Sequence, residues 1–170
     1  MDFLELATGR YSVRDFSNAP VEDWKIEKIL HAAKVAPTAV NYQPQKIYVV
    51  KSPEAVAKLA AVRPLFGAPM AVIVCYDDTL SWKNSRDGGH DSGEVDASIV
   101  CTHMMLQAWE LGIGSCWMGA FSPAAVSEAF GLPAHIHPVA VLPLGYPTDG
   151  CKPSDRHLSY RDEGDWIESL

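Results

Sequence analysis

Positive charge is scarce in this sequence, membrane-length apolar runs are missing, and none of the common nucleotide-binding signatures occurs. Lysine and arginine number 14 against 21 aspartates and glutamates, a formal net charge of −7. That balance argues against non-specific binding to nucleic acid or anionic lipid, both of which need a basic surface. No apolar stretch reaches the roughly 20 residues that cross a bilayer. The first residues carry Asp2 and Glu5, not a basic segment followed by an apolar run, so no secretory or transit peptide is expected. Cys75, Cys101, Cys116 and Cys151 form no CxxC pair, and all but Cys151 lie in apolar runs. Reduced core thiols are therefore favoured over disulfides or zinc ligands. Neither GxGxxG nor GxxxxGK is present, and there are no repeats or low-complexity tracts. The expectation is a soluble, cytoplasmic chain folded as one domain over residues 1–170, burying about two-thirds of its unfolded surface.

The most organised stretch is Glu94 to Gly119. Residues 94–111 contain no proline and few β-branched residues, with Asp91 or Ser92 as a cap and Gly112 as the stop, which predicts a helix. Val95, Ile99, Leu106 and Trp109 form one apolar row, and Val100, Met104, Ala108 and Leu111 form another. Asp96, His103, Gln107 and Glu110 confine the polar groups to a narrow stripe. A helix apolar around most of its circumference is buried on more than one side. It is either a central core helix or one that also meets a second subunit.

Shorter helices are expected at 2–9 and 21–35, after Ser52-Pro53, and from Ser122-Pro123 to Gly131. Strands are expected at 45–51, 70–76, 113–119 and 136–144, the second buried on both faces. The prolines of the last strand point to an edge or an interruption. Residues 77–92 read as a polar, glycine-bearing surface loop, in which Trp82 could serve a lid. His90, Asp91 and Glu94 there have no recognised metal-ligand spacing, so no metal is expected.

Two segments carry chemistry. If Arg10-Tyr11-Ser12-Val13-Arg14 is extended, Arg10, Ser12 and Arg14 share a face while Tyr11 and Val13 point away. Two guanidinium forks beside a hydroxyl suit a phosphate dianion. The plainer alternative leaves Arg10 complementing a helix end and Arg14 solvated. The loop Pro37-Thr38-Ala39-Val40-Asn41-Tyr42-Gln43-Pro44 is rich in hydrogen-bonding groups, although alone it would be an ordinary Asx-type connection.

In combination these pieces resemble the FMN-dependent nitroreductase family. They are Arg10 to Arg14, Ala36-Pro37-Thr38 with Asn41 and Gln43-Pro44, the Asp96 helix running through Leu111-Gly112 to Gly119, and Leu144-Gly145-Tyr146-Pro147 followed by Arg156. The resemblance covers nearly the whole chain in order. It implies an α+β fold with a mostly antiparallel central sheet flanked by helices, built into an intertwined homodimer with FMN at the subunit interface. By that resemblance Arg10, Ser12, Arg14 and Arg156 hold the phosphate and ribityl chain, with Tyr11 beside them. Pro37, Thr38, Ala39 and Asn41 from the partner subunit line the flavin ring, with Gln43 nearby, and backbone around Trp117, Met118 and Gly119 lies near its reactive edge.

The implied activity is ping-pong hydride transfer through flavin N5, from NADH or NADPH to a small electron-poor acceptor such as a nitroaromatic or quinone. Such chemistry needs no protein acid, base or nucleophile, so no catalytic residue is assigned. The chain departs from the family in three places: little lies between Tyr76 and Glu94, Gln45 stands where many relatives have tryptophan, and Thr38 replaces serine. Three other readings stay open: a flavin-binding carrier or sensor, a flavin-destroying enzyme of the same superfamily, and a cofactor-free interaction domain whose arginines are surface charges.

Overall fold

A computed structural model describes residues 2–170. Strands β1 (Gln45–Val50), β2 (Met70–Asp77), β5 (Gly114–Ser115) and β6 (Ile136–Gly145) form one sheet in the order β1-β2-β6-β5. Every pairing in it is antiparallel. Two short strands, β3 (Lys83–Asn84) and β4 (His90–Asp91), make a separate hairpin. The helices are α1 (Phe3–Gly9), α2 (Asp23–Val35), α3 (Pro53–Val62), α4 (Gly93–Glu110) and α5 (Pro123–Phe130).

The apolar run of β2 explains the layering. Successive strand side chains point to opposite faces. Met70, Val72 and Val74 therefore enter a core shared with Ile26 and Ile29 of α2 and Val100 and Met104 of α4. Ala71, Ile73 and Cys75 enter the opposite core, with Leu59 of α3, Val126 of α5, Val13 and Phe16. A strand buried on both sides needs a continuous apolar sequence, as β2 has.

Local signals set most helix ends. Asp2 and Glu5 form a reciprocal capping box at α1. The hydroxyls of Ser52 and Ser122 each accept from an N–H three residues on, with proline next in both helices. Gly112 adopts φ 74° and ends α4, as expected. Gly93 opens α4 for a packing reason: a Cβ there would sit 2.0 Å from the Tyr76 ring.

Two expectations need correction, and one alternative is resolved. The strand expected over 113–119 shrinks to Gly114–Ser115 plus a single bridge between Met118 and Val141. Of the two alternatives left by the prolines of β6, the interruption holds and the edge does not: the strand is interior, and Pro138 falls where its register with β2 shifts, beside Val74/Cys75. Residues 77–92 are an ordered hairpin in place of an unstructured loop. The Lys83 ammonium binds the Asp91 carboxylate and donates to the Ser81 hydroxyl (2.8 Å) and the Asp78 carbonyl (2.9 Å). Asp91 also accepts from the Gly93 N–H at 2.8 Å.

Helix α4 packs against α2 and the sheet through Ala97, Val100, Cys101, Met104 and Ala108, all fully buried. Its other apolar row is not closed within the chain. Val95 is 55% exposed and lines an open groove with the half-buried Ile99, and Leu106 is half-buried further along the helix.

Candidate active site

The segment after α1 is extended, as its alternation predicts. Ser12 forms a parallel bridge with Ser115, and the Val13 N–H donates to the Ser115 carbonyl at 2.9 Å. Val13 is fully buried, so Ser12 and Arg14 are turned outward. There they border a cleft of about 230 Å³ lined by Arg10, Tyr11, Ser12, Arg14, Ser154, Arg156 and His157. Four of the predicted anchors (Arg10, Ser12, Arg14 and Arg156) thus converge, although Arg156 is 142 positions beyond Arg14 in the chain.

Alongside Asp15, whose carbonyl and carboxylate accept from Thr148, Tyr11 helps hold the tail to the segment. Its hydroxyl donates to the Cys151 carbonyl at 3.4 Å, and its ring packs edge-on against both Trp109 of α4 and His157. Partial burial, with Cys151 nearby, raises its phenol pKa. Tyr11 therefore borders the cleft and does not simply point away from the arginines.

The electrostatics of the cleft are one-sided. None of its lining residues is acidic. Among the described residues, no ion pair involves Arg10, Arg14 or Arg156. In a chain with a net charge of −7, three guanidinium groups left without carboxylate partners make this cleft a candidate anion site. Cys116 lies close below. Burial raises its thiol pKa, against the opposing influence of Arg14, the Ser12 hydroxyl, Arg63 and Arg10.

The loop expected to line a ring lies elsewhere. Residues 39–41 form a 3₁₀ turn, and Val40, Asn41 and, just beyond it, Gln43 all have positive φ (54°, 57° and 53°). Such backbone costs about 1–3 kcal/mol per residue, and a β-branched valine is especially disfavoured there. The Thr38 hydroxyl closes the turn by accepting from the Gln43 N–H at 3.1 Å, and the Ala39 N–H donates to Asp96 at 2.8 Å. Pro37, Val40, Asn41, Tyr42 and Gln43 are left exposed. The turn is thus fixed near the first turn of α4, whereas the arginine cleft is fixed at Trp109 near its last. Those anchors are 13 residues apart, about 20 Å along a helix.

Of the predicted ring-edge residues, Met118 is buried, and both its backbone groups are taken up by Val141 at 3.0 Å. Gly119 is the exposed member. It opens onto a separate cavity of about 550 Å³ that Tyr76, Glu94, Phe121 and His137 also line. His137 stacks on Tyr76 and lies 2.7 Å from the Asp78 carboxylate.

Sequence reasoning missed Ser154 and His157; adjacency to Arg156 was the one available signal. It also treated Asp96 as part of a polar stripe, whereas its carboxylate is buried and bonded to Ala39.

Comparison with known proteins agrees with this architecture. A sequence model of the nitroreductase family matches residues 7–63 and 58–146. A protein of Methanothermobacter thermautotrophicus named as an NADH dehydrogenase/NAD(P)H nitroreductase is 33% identical over 93% of this chain and 83% of its own length. An FMN reductase [NAD(P)H] of Bacillus subtilis is 26% identical, over 87% of this chain and 67% of its own. The crystal structure of a nitroreductase family protein from Clostridium difficile 630 superposes with a TM-score of 0.93 at 37% identity, covering 99% of this chain and 98% of that one. The order of motifs, the helix-flanked antiparallel sheet and these likenesses have one common account: the chain belongs to the nitroreductase family.

Proposed function

We propose that this chain is an FMN-dependent NAD(P)H oxidoreductase. It works as a single-domain protein in the cytoplasm, paired as a homodimer, and reduces nitroaromatic or quinone-type acceptors. The observation that carries the reading is the cleft where Arg10, Arg14 and Arg156 meet without a carboxylate partner.

The donor set there fits the cofactor. The guanidinium groups supply charge-assisted hydrogen bonds to a phosphate dianion, and the Ser12 and Ser154 hydroxyls and the His157 ring add further polar contacts. Thr38 and Asn41 offer polar groups to the ring edge. When bound, FMN supplies the redox chemistry, taking two electrons from NADH or NADPH and passing them to the acceptor. What the protein's residues do is bind, orient and shape access. Ping-pong order follows if one open face serves the nicotinamide and the acceptor in turn.

Pairing of two chains completes the site in this reading. The phosphate cleft and the ring-lining turn sit near opposite ends of α4 in one protomer. Antiparallel apposition of two α4 helices about a two-fold axis brings the turn of one chain to the cleft of the other. The half-open row of Val95, Ile99 and Leu106 supplies the apolar surface for that contact. No helix among the described residues is long and apolar enough to cross a membrane.

The test is the visible spectrum of the purified protein. A yellow preparation, bleached without oxygen by NADH or NADPH and restored by a quinone or nitroaromatic, is expected. Parallel double-reciprocal plots establish the ping-pong order. A colourless protein that takes up no added FMN refutes the proposal, and bound flavin that neither nicotinamide bleaches returns the carrier reading.

A further inference from the structure

Among the described residues, Asp96 is the one charged side chain that is buried, 2% exposed. A carboxylate out of contact with water is costly unless its oxygens are bonded. Both are: one accepts the Ala39 N–H at 2.8 Å, the other the Ser92 hydroxyl at 3.0 Å. Its place in the first turn of α4 adds the favourable field of the helix N-terminus.

We infer that Asp96 is a positioning residue for the flavin ring, latching the strained 38–43 turn to α4 so that Thr38 and Asn41 are held in one shape. The inference rests on the flavin reading above. Three residues with positive φ within four positions persist only where the surroundings hold them. The Thr38–Gln43 bond closes the turn on itself but does not attach it to anything. The Ala39–Asp96 bond does, across 57 positions of sequence. Helix capping alone does not account for the carboxylate. A capping side chain accepts from its own helix's first N–H groups, and here Asp91 already takes the Gly93 N–H.

Four variants of the full-length chain test this: Asp96→Ala, Asp96→Asn, Ser92→Ala and Ala39→Pro. The last deletes the donor and leaves the carboxylate and α4 intact, and proline suits the first position of a turn of helix. Two quantities are measured: the FMN dissociation constant by flavin fluorescence, and amide exchange at residues 40–41 in the flavin-free protein. Asp96→Ala and Ala39→Pro are each expected to weaken FMN binding at least tenfold and to speed that exchange, with the double variant no worse than either. Asp96→Asn keeps an oxygen for Ala39 and should bind within threefold of wild type, as should Ser92→Ala.

A folded Asp96→Ala protein that binds FMN within twofold of wild type overturns the inference, and so does a Ser92→Ala protein as impaired as Asp96→Ala. Should Asp96→Ala not fold, Ala39→Pro decides by the same two readings. If the wild-type chain takes up no FMN, the proposed function itself fails. The exchange rates then decide the latch alone: faster exchange in Asp96→Ala upholds it, unchanged exchange overturns it.

Discussion

The ring of Tyr11 meets the indole of Trp109 edge-on, with centroids 5.1 Å apart and planes at 70°. Tyr11 also reaches His157 in the C-terminal tail at 6.1 Å. One aromatic side chain therefore touches α4, the 10–14 segment and the tail, and with the Asp15–Thr148 bonds it holds the arginines on either side of it together.

Replacing Tyr11 with alanine is expected to cost about 2–3 kcal/mol of stability, from the lost edge-to-face pair and the truncated, half-buried ring. Replacing it with phenylalanine removes only the long hydroxyl bond to Cys151 and should cost less than about 1 kcal/mol. Urea unfolding measures both. A Tyr11→Ala protein as stable as wild type removes this ring from its linking role.

Arginine removal should act through the phosphate alone. Arg10→Ala, Arg14→Ala and Arg156→Ala should each weaken FMN binding by about 1–3 kcal/mol, roughly ten- to hundredfold. Arg10 is half-buried and the other two are exposed, so Arg10 should cost the most and the others should depend more on salt. Riboflavin lacks the phosphate, and its affinity should be the same in all three variants as in wild type. Parallel loss of riboflavin binding argues against a phosphate role.

The strain in the 38–43 turn predicts a stabilising change. Val40 is 63% exposed at φ 54°, so its side chain contributes little packing while its backbone sits in a region that asparagine tolerates better. Val40→Asn should raise stability by about 1 kcal/mol, measured by thermal unfolding. A lower melting temperature counts against strain at this position.

The thiols predict both a labelling pattern and a pH dependence. Cys75, Cys101 and Cys116 are buried, and Cys151 is partly exposed. Ellman's reagent should label Cys151 first and the others only on unfolding. Burial pushes the Cys75 and Cys101 thiols from 9.0 up to about 12. Between those values the unfolded chain loses these protons and the folded chain keeps them, so the folded state is penalised as pH rises. Stability should be level with respect to these two groups below about pH 9 and fall from there toward pH 12. Replacing Cys75 and Cys101 with alanine should flatten that decline, whatever its effect on absolute stability.

Much of the architecture was legible residue by residue. The helix expected at 94–111 is found at Gly93–Glu110, and the run at 70–76 is strand β2. The Ser-Pro pairs open α3 and α5. Each of these features depends on neighbours within a turn or two. The hairpin at 83–91 was missed because its stability comes from the Lys83 ammonium reaching Asp91, Ser81 and Asp78. That convergence has no periodic signature. The prolines of β6 left edge and interruption both open, and only the paired register, with its shift at Val74/Cys75, selects the interruption.

Apolar periodicity, capping residues and the spacing of Arg10, Ser12 and Arg14 reflect covalent geometry and short-range sterics, so they were readable before any folding. Placing Arg156 and His157 beside them, turning Asp96 inward onto Ala39, and separating the arginine cleft from the 38–43 turn by most of a helix all required the chain to close on itself. Contacts between residues tens of positions apart are set by how whole elements pack. No local pattern encodes the outcome of that packing.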